Sequence, residues 1–507
     1  MIRQKAAQRF SKFYDLHAII ILVVVVFVVA HPVPYSNEFS YLLRLKKAYF
    51  PDFLAHDITF STPSNEYWLF DHVFGLFTFF LSFEVIGWAG RILCWVVSIY
   101  AIRKLSLRWE IPEWIVTGGI IIWILLGQSI IADEWVIGTF EAKCVAYILV
   151  FFALERICKG RDMFAAILLG LAFSFHPLIG MWALLGALVA HLVTKRSILG
   201  TAKITAIACL FSTIGLVPLL LMRIESVAPS TDSLKYFLYV RFPFHCDPFS
   251  WSRSEIAVSV LMFLFCLVVY FYSKRNVAST FLIAFLSTLF LFYISGFVLR
   301  FFELVHLMVF MPTRIYTIFV LLFFLFFLGK AIYEKHYLKP AIATLIALLA
   351  FGLFWAHLYE RPVERIVLTV NSWQKPPDDM QKAFVWIRNN TPEDATIIAP
   401  PWREDFWYYA NRAIPVSYDK AIDSNLNLWV SRLNEFTGAA DLYGGYRNPD
   451  NLKSFYYSIS TNKMHSLSKE YNARILITES VYSYKVLQKF GKVRVYEIDK
   501  TVVKTGK

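Results

Sequence analysis

Apolar runs such as AIIILVVVVFVVA (18–30) and VLLFFLFFLG (320–329) recur along the first two thirds of the chain and restrict its fold more than any other feature. Hydrocarbon offers no partner to a backbone N–H or C=O, so a run buried in lipid has to bond to itself as a helix. A crossing needs roughly 20 apolar residues, and short loops rich in Lys and Arg stay on the cytoplasmic side. Basic clusters fall at Arg3/Lys5/Arg9/Lys12, Arg103/Lys104/Arg108, Arg156/Lys159/Arg161, Lys195/Arg196, Lys274/Arg275 and Lys330/Lys335/Lys339. Keeping all of them inside predicts crossings near 16–33, 85–102, 112–131, 142–157, 163–176, 178–194, 200–222, 255–273, 277–299, 308–329 and 339–358. That is about 11 spans with the N-terminus in the cytoplasm, the first of them an uncleaved signal anchor.

Composition agrees with this reading. The 507 residues are 57% hydrophobic and 17% charged, against roughly 45–50% and about 25% in ordinary soluble chains. The net charge of +13 lies largely in the short clusters between apolar runs, which makes it a topology signal and excludes nucleic acid as a partner. None of the six cysteines forms a C-x-x-C pair, so neither a disulfide framework nor a zinc site is expected.

Two stretches decide details of the topology. Residues 163–193 would make one helix of roughly 46 Å at 1.5 Å per residue, with basic clusters at both ends. Splitting the run at FHP, with His176 and Pro177 at an outer turn, keeps both clusters inside. Counting WLFDHVFGLFTFFLSF (68–83) as a crossing would export Arg103, Lys104 and Arg108, so it reads as an amphipathic segment in the outer interface. Beyond residue 360 the pattern changes. ERPVERIVLTVNSWQKPPDD (360–379) reads as a polar linker. After it, a helix is expected at DMQKAFVWIRNN, a strand at ATIIAPP, a helix over NLWVSRLNEF and strands at ARILITES and KVRVYEI. The expected architecture is a polytopic α-helical membrane domain (1–360) with a large first outer loop (34–84), followed by an extracytoplasmic α/β domain (361–507). The loop GAADLYGGYRNPD lacks the G-x-G-x-x-G or P-loop setting that nucleotide binding needs.

With this sidedness, acids and bases gather at the outer surface. NEFSYL puts Glu38 close to the end of the first crossing. IADEWVIGTFEAKCVAY carries Asp133, Glu134, Glu141 and Lys143 between the third and fourth, and LRFFELVHLMVFMPTR carries Arg300, Glu303, His306 and Arg314. A spacing of three on one helix would bring Arg300, Glu303 and His306 to one side. Charges at a membrane edge are costly unless paired or hydrated, which makes them functional candidates. A carboxylate takes a proton from a hydroxyl while guanidinium and ammonium groups stabilise a departing phosphate, so this set suits transfer from an isoprenoid-phosphate sugar.

The chain thereby resembles the GT-C superfamily of integral-membrane glycosyltransferases: a span, a large outer loop opening on an acidic motif, further spans and an outer soluble domain. The Asp-Glu that family members often carry after the first span is matched by Asn37 and Glu38, so one acid is replaced. A second family acid maps onto Asp133 or Glu134. The resemblance implies an inverting transfer from a polyprenyl-phosphate sugar donor to a hydroxyl of a glycan, lipid or protein, outside the cytoplasmic membrane. In that reading Glu38 is the base, Asp57, Asp133 and Glu134 are further catalytic acids, and Lys143, Arg300 and Arg314 form the phosphate clamp, with Glu141, His176 and His306 also at the substrate. No cofactor is called for. A divalent metal ion, used by oligosaccharyltransferase relatives, stays open through the pairs His56–Asp57, Asp71–His72 and His245 to Asp247, but no helical ligand spacing appears. A transporter or flippase of lipid-linked sugars, or a non-catalytic assembly protein, are the alternatives.

Overall fold

The structure is a computed structural model; it describes residues 2–61, 65–422, 424–438 and 449–498. The glycine pair Gly444–Gly445 of the GAADLYGG loop lies outside the described residues.

A helix stands at every position where a crossing is expected. They are α1 (Ile2–Val29), α4 (Phe83–Ser106), α5 (Glu113–Leu125), α6 (Ala142–Cys158), α7 (Asp162–Phe175), α8 (Pro177–Lys195), α9 (Ile198–Glu225), α10 (Arg253–Tyr272), α11 (Val277–Phe301), α12 (Arg314–Tyr333) and α13 (Pro340–Trp355). The labels α2 and α3 belong to the helices Glu38–Lys47 and Trp68–Gly75 between α1 and α4. Length and composition suffice for a crossing in six of these helices. The protein is a polytopic helical membrane protein. Its centre is α12, which is apolar all round and has 89% of its apolar window buried inside the protein. Phe323, Phe326 and Phe327 of α12 surround Trp109. At its far end Lys330 donates to the carbonyl of Trp109 at 3.1 Å, so the ammonium is buried with a partner. By contrast α9 has only 22% of its window buried and presents Leu210, Val217, Leu221 and Ile224 outward, as a lipid-facing helix does.

The split at FHP is present: α7 ends at Phe175, α8 begins at Pro177, and the His176 ring accepts from the N–H of Ile179 as an N-cap. The 68–83 segment forms α3 and a 3₁₀ turn, Leu76–Phe79, with Phe77, Phe79 and Phe80 exposed. Two expectations are corrected. The stretch read as a linker is a helix, α14 (Arg361–Gln374). Apolar residues at 363, 366, 367, 370 and 373 keep a helical period through the charges, and the Pro in its first turn needs no N–H. Arg300, Glu303 and His306 do not share a helix, because α11 ends at Phe301, Glu303 is left-handed (φ 51°) and His306 lies on a separate turn, Val305–Met308.

After α14 come α15 (Asp379–Asn390), α16 (Leu426–Thr437), α17 (Pro449–Ser458) and α18 (Thr461–Glu470), with strands β1 (Ile397–Ile398), β2 (Ile475–Thr478), β3 (Lys485–Phe490) and β4 (Val493–Glu497). The sheet order is β1-β2-β4-β3, with β1 parallel to β2 and the other pairs antiparallel. Strand β3 was not expected, since KVLQKF exposes most of its side chains at a sheet edge and offers no apolar run. Its partner β4 follows a two-residue turn at Gly491 (φ 53°).

Candidate functional site

The site begins with a loop, 127–139, between α5 and α6. The Gln128 carboxamide holds it closed, accepting from the N–H groups of Val136 (2.8 Å) and Ile137 (2.7 Å) and donating to the Ile137 carbonyl (2.7 Å). Ser129 Oγ accepts from the Glu134 N–H, and the Glu134 carboxylate is fixed by Arg314 Nε at 2.6 Å. Arg361 of α14 donates to the carbonyls of Ser129 and Ile130, each at 3.0 Å, and to Glu255 at 2.7 Å. His245 bonds the Ala132 carbonyl at 2.5 Å. Ala132 and Asp133 are both left-handed (φ 66° and 45°). Asp133 is exposed and has no hydrogen bond or ion pair with a described residue.

Asp133 lines a cavity of about 790 Å³ under α14. Its lining combines polar residues, among them Asp133, Glu255, Arg361, Arg365 and His31, with apolar ones, among them Val28, Ile131, Phe244, Trp251 and Leu368. Arg365 is partly buried and makes no hydrogen bond or ion pair with a described residue. Its guanidinium lies where a β-carbon on Gly127 (φ 88°) would stand, so only glycine there leaves room for it. Burial pulls the Arg365 pKa below its ordinary value, and the negative charge of Asp133 is the largest influence the other way. Tyr35 stacks on His31 at 3.8 Å within the same wall. Burial, with Arg91 and Arg365 adding to it, holds His31 down at about 4, so this ring is neutral at physiological pH.

The other predicted residues lie elsewhere. Glu38 is fully buried: Arg91 donates to it at 2.7 and 2.5 Å, and the N–H groups of Phe140 (2.6 Å) and Tyr35 (3.2 Å) complete the set. Glu141 accepts from Thr139 and lies 3.6 Å from Lys143, whose ammonium covers the Trp135 ring at 3.7 Å. With Glu134–Arg314 and the capping His176, these groups form a buried polar layer behind the cavity wall, which Trp135 and Thr139 share. Asp57 is buried at the domain junction, accepting from Trp407 Nε1 (2.6 Å) and the N–H groups of Ile414 and Thr59, both at 2.9 Å. Burial pushes its carboxyl up to about 6 against these three bonds. Arg300 pairs with Asp247 at 2.9 Å and covers the Tyr239 ring; His306 is exposed, and neither lines the cavity. Acids and cations from separate loops thus do not all meet in one hollow; Asp133 alone of the predicted set lines it.

Residues that sequence reasoning missed are Arg365, Arg361, His31, Tyr35, Glu255 and Glu404. The helical period of VERIVLTVNSW was the available signal for the two arginines. Glu404 follows strand β1, and its charge acts on Tyr35. Burial and the neighbouring Asp419 and Asp405 push it up to about 7, with Arg241 opposing. Among the described residues no group of three or more His, Cys, Asp or Glu assembles to hold a metal ion.

The family described as a domain of unknown function (DUF6798) matches residues 378–436. No curated protein matches the sequence. Among solved structures, the chain is similar to an oligosaccharyltransferase of Archaeoglobus fulgidus in complex with zinc and sulfate, at 10% identity and a TM-score of 0.48 over 91% of this chain and 67% of that one. It is similar to the oligosaccharyltransferase AglB of the same organism, in complex with an inhibitory peptide and a dolichol-phosphate, at 12% identity and 0.49 over 92% and 69%. A third is ArnT from Cupriavidus metallidurans bound to undecaprenyl phosphate, at 11% identity and 0.47 over 96% and 98%. At these scores the functional reading has to come from the chain's own geometry.

Proposed function

We propose that the protein is a membrane-embedded, inverting glycosyltransferase that moves a sugar from a polyprenyl-phosphate carrier to a hydroxyl acceptor on the outer face of the cytoplasmic membrane. One observation carries this: a single cavity combines a carboxylate and a guanidinium that feel each other's charge, neither of them held by a hydrogen bond or ion pair to a described residue, with apolar side chains from α1 and α14. Such a cavity matches a ligand whose phosphate sits at the membrane edge and whose tail lies in lipid.

The base is Asp133. It takes the proton of the acceptor hydroxyl; the acceptor oxygen bonds to the anomeric carbon as the bond from that carbon to the phosphate oxygen breaks. The phosphate leaves with the electron pair, and Arg365 meets the charge that develops on it. This reading moves the base from Glu38, whose four hydrogen bonds leave it no access to an acceptor, to the second family acid. Glu134 and Arg314 fix the loop that carries Asp133, with Glu141, Lys143 and His176 in the layer behind.

The test is transfer by purified protein from a pool of polyprenyl-phosphate sugars to added acceptors, read as a new glycosidic bond by mass spectrometry. The wild type is expected to form the bond and Asp133→Asn to lose it. A protein that only moved the carrier lipid across the bilayer would form none.

A further inference from the structure

Asp133 stands at the cavity on two consecutive left-handed residues, Ala132 (φ 66°) and Asp133 itself (φ 45°). Neither is a glycine, and such a pair is costly enough to persist only where its surroundings hold it. The bonds made by Gln128, Ser129 and Arg361 hold the loop on either side, at Ser129, Ile130, Glu134, Val136 and Ile137. None of them touches the peptide unit that joins Ala132 to Asp133. Its oxygen is the Ala132 carbonyl, and among the described residues the partner of that oxygen is His245. A carbonyl oxygen only accepts, so Nδ1 of His245 carries the hydrogen. The direction of the oxygen is set by ψ of Ala132 and φ of Asp133, the dihedrals on either side of the peptide plane. One bond thus fixes both halves of the left-handed turn.

His245 is itself held. It lies in a one-turn helix, Pro243–Cys246, with its ring 4.4 Å from that of Phe244 and 6.4 Å from that of Phe242, centroid to centroid. Before it, Arg241 bonds the carbonyls of Tyr418 and Asp419. After it, Asp247 pairs with Arg300 and accepts from the Phe249 N–H, Ser250 Oγ donates to the Pro243 carbonyl at 3.0 Å, and Trp251 Nε1 donates to the Phe244 carbonyl at 2.8 Å. Both members of the His245 to Asp247 pair are therefore engaged within the protein. Pro243, Phe244, Ser250 and Trp251 line the cavity, and His245 does not.

We propose that His245 is a positioning residue for Asp133: its Nδ1–H clamps the Ala132 carbonyl and so keeps the carboxylate at the place from which it takes the acceptor proton. The proposal deepens the functional reading above and rests on its choice of Asp133 as the base. It assigns His245 no contact with substrate, since the ring acts through the Ala132 carbonyl.

The test measures transfer by the full chain, normalised to folded protein, from the same pool of polyprenyl-phosphate sugars at varied acceptor concentration. His245→Phe keeps a ring against Phe242 and Phe244 and removes the N–H. His245→Asn removes the ring but sets an amide nitrogen the same number of bonds from the backbone as Nδ1. His245→Phe is expected to lower kcat about 10²-fold, as a displaced catalytic group does, with the apparent KM for acceptor within about twofold, and His245→Asn to keep kcat within about fivefold. A role in packing alone predicts the reverse order, with Phe active and Asn impaired. That reverse order, equal rates in the two variants, or a loss carried by KM instead of kcat overturns the positioning role, while Asp133→Asn still decides the functional reading. Absence of transfer by the wild type overturns that reading, and the positioning role with it.

Discussion

Two carboxylates in acidic motifs beside apolar helices, Glu38 and Asp133, have opposite environments and so opposite predicted phenotypes. Glu38 is buried against Arg91, and removing one partner of such a pair costs roughly 3–5 kcal/mol because the other is left uncompensated. Glu38→Gln is expected to lower the thermal unfolding temperature while the surviving folded protein still turns over. Asp133 is exposed and bonded to nothing described, so Asp133→Asn is expected to leave stability within about 0.5 kcal/mol and to reduce transfer by roughly 10²–10⁴-fold. Their difference was not legible in the sequence. Both sit in acidic motifs beside a crossing, and what separates them is Arg91, a residue 53 positions from Glu38 in the middle of an apolar helix. Asp57 adds a pH effect. Its folded pKa of about 6 exceeds the ordinary value of 3.8, so between these the folded protein keeps a proton that the unfolded chain has released. Its contribution to stability is complete below pH 4 and is lost as the pH rises through 6. Unfolding followed between pH 4 and 7 is expected to show this slope, and Asp57→Asn to flatten it.

At the scale of elements, the crossings were readable because lipid enforces one solution, an internally bonded helix of fixed length, wherever an apolar run is long enough. The helix α14 was not readable in the same way. Its two arginines and one glutamate, with a proline in the first turn, resemble a linker until the apolar positions are placed on a helical period. Strand β3 was hidden for a related reason, since an exposed edge strand needs no apolar alternation. The packing of α14 against the loop 127–139 gives a further prediction. Gly127→Ala places a methyl group where the Arg365 guanidinium lies and strains a left-handed turn. It is expected to weaken phosphate binding as much as Arg365→Gln does, about tenfold or more for a charge-assisted contact, measured by titration with undecaprenyl phosphate. Unchanged binding would mean that Arg365 does not act from this position.

For the whole molecule, the C-terminal segment that carries the sheet is joined to the helices before it by bonds from several loops. Trp407 and Ile414 bond Asp57, Tyr408 bonds Glu84 at 2.6 Å, and Arg241 bonds the carbonyls of Tyr418 and Asp419, both at 2.8 Å. Trp402 and Trp407 pack inside these contacts, against Tyr456 and Phe60, which favours packing over sugar stacking for the aromatic run. Sequence patterning reached two of the region's helices, α15 and α16, and three of its strands, but not α17 or α18; the junction bonds join residues far apart in the chain and left no local trace. Sidedness is the global expectation: cysteines introduced at Lys489 and Lys159 should react with an impermeant maleimide from the outside and from the cytoplasm respectively. The most direct measurement compares glycosyl transfer by wild type, Asp133→Asn and His306→Ala, each normalised to folded protein. The account predicts that Asp133→Asn abolishes transfer while His306→Ala, outside the cavity, keeps it near the wild-type rate. Full activity in Asp133→Asn, or its loss only in His306→Ala, would contradict the placement of the reaction beneath α14.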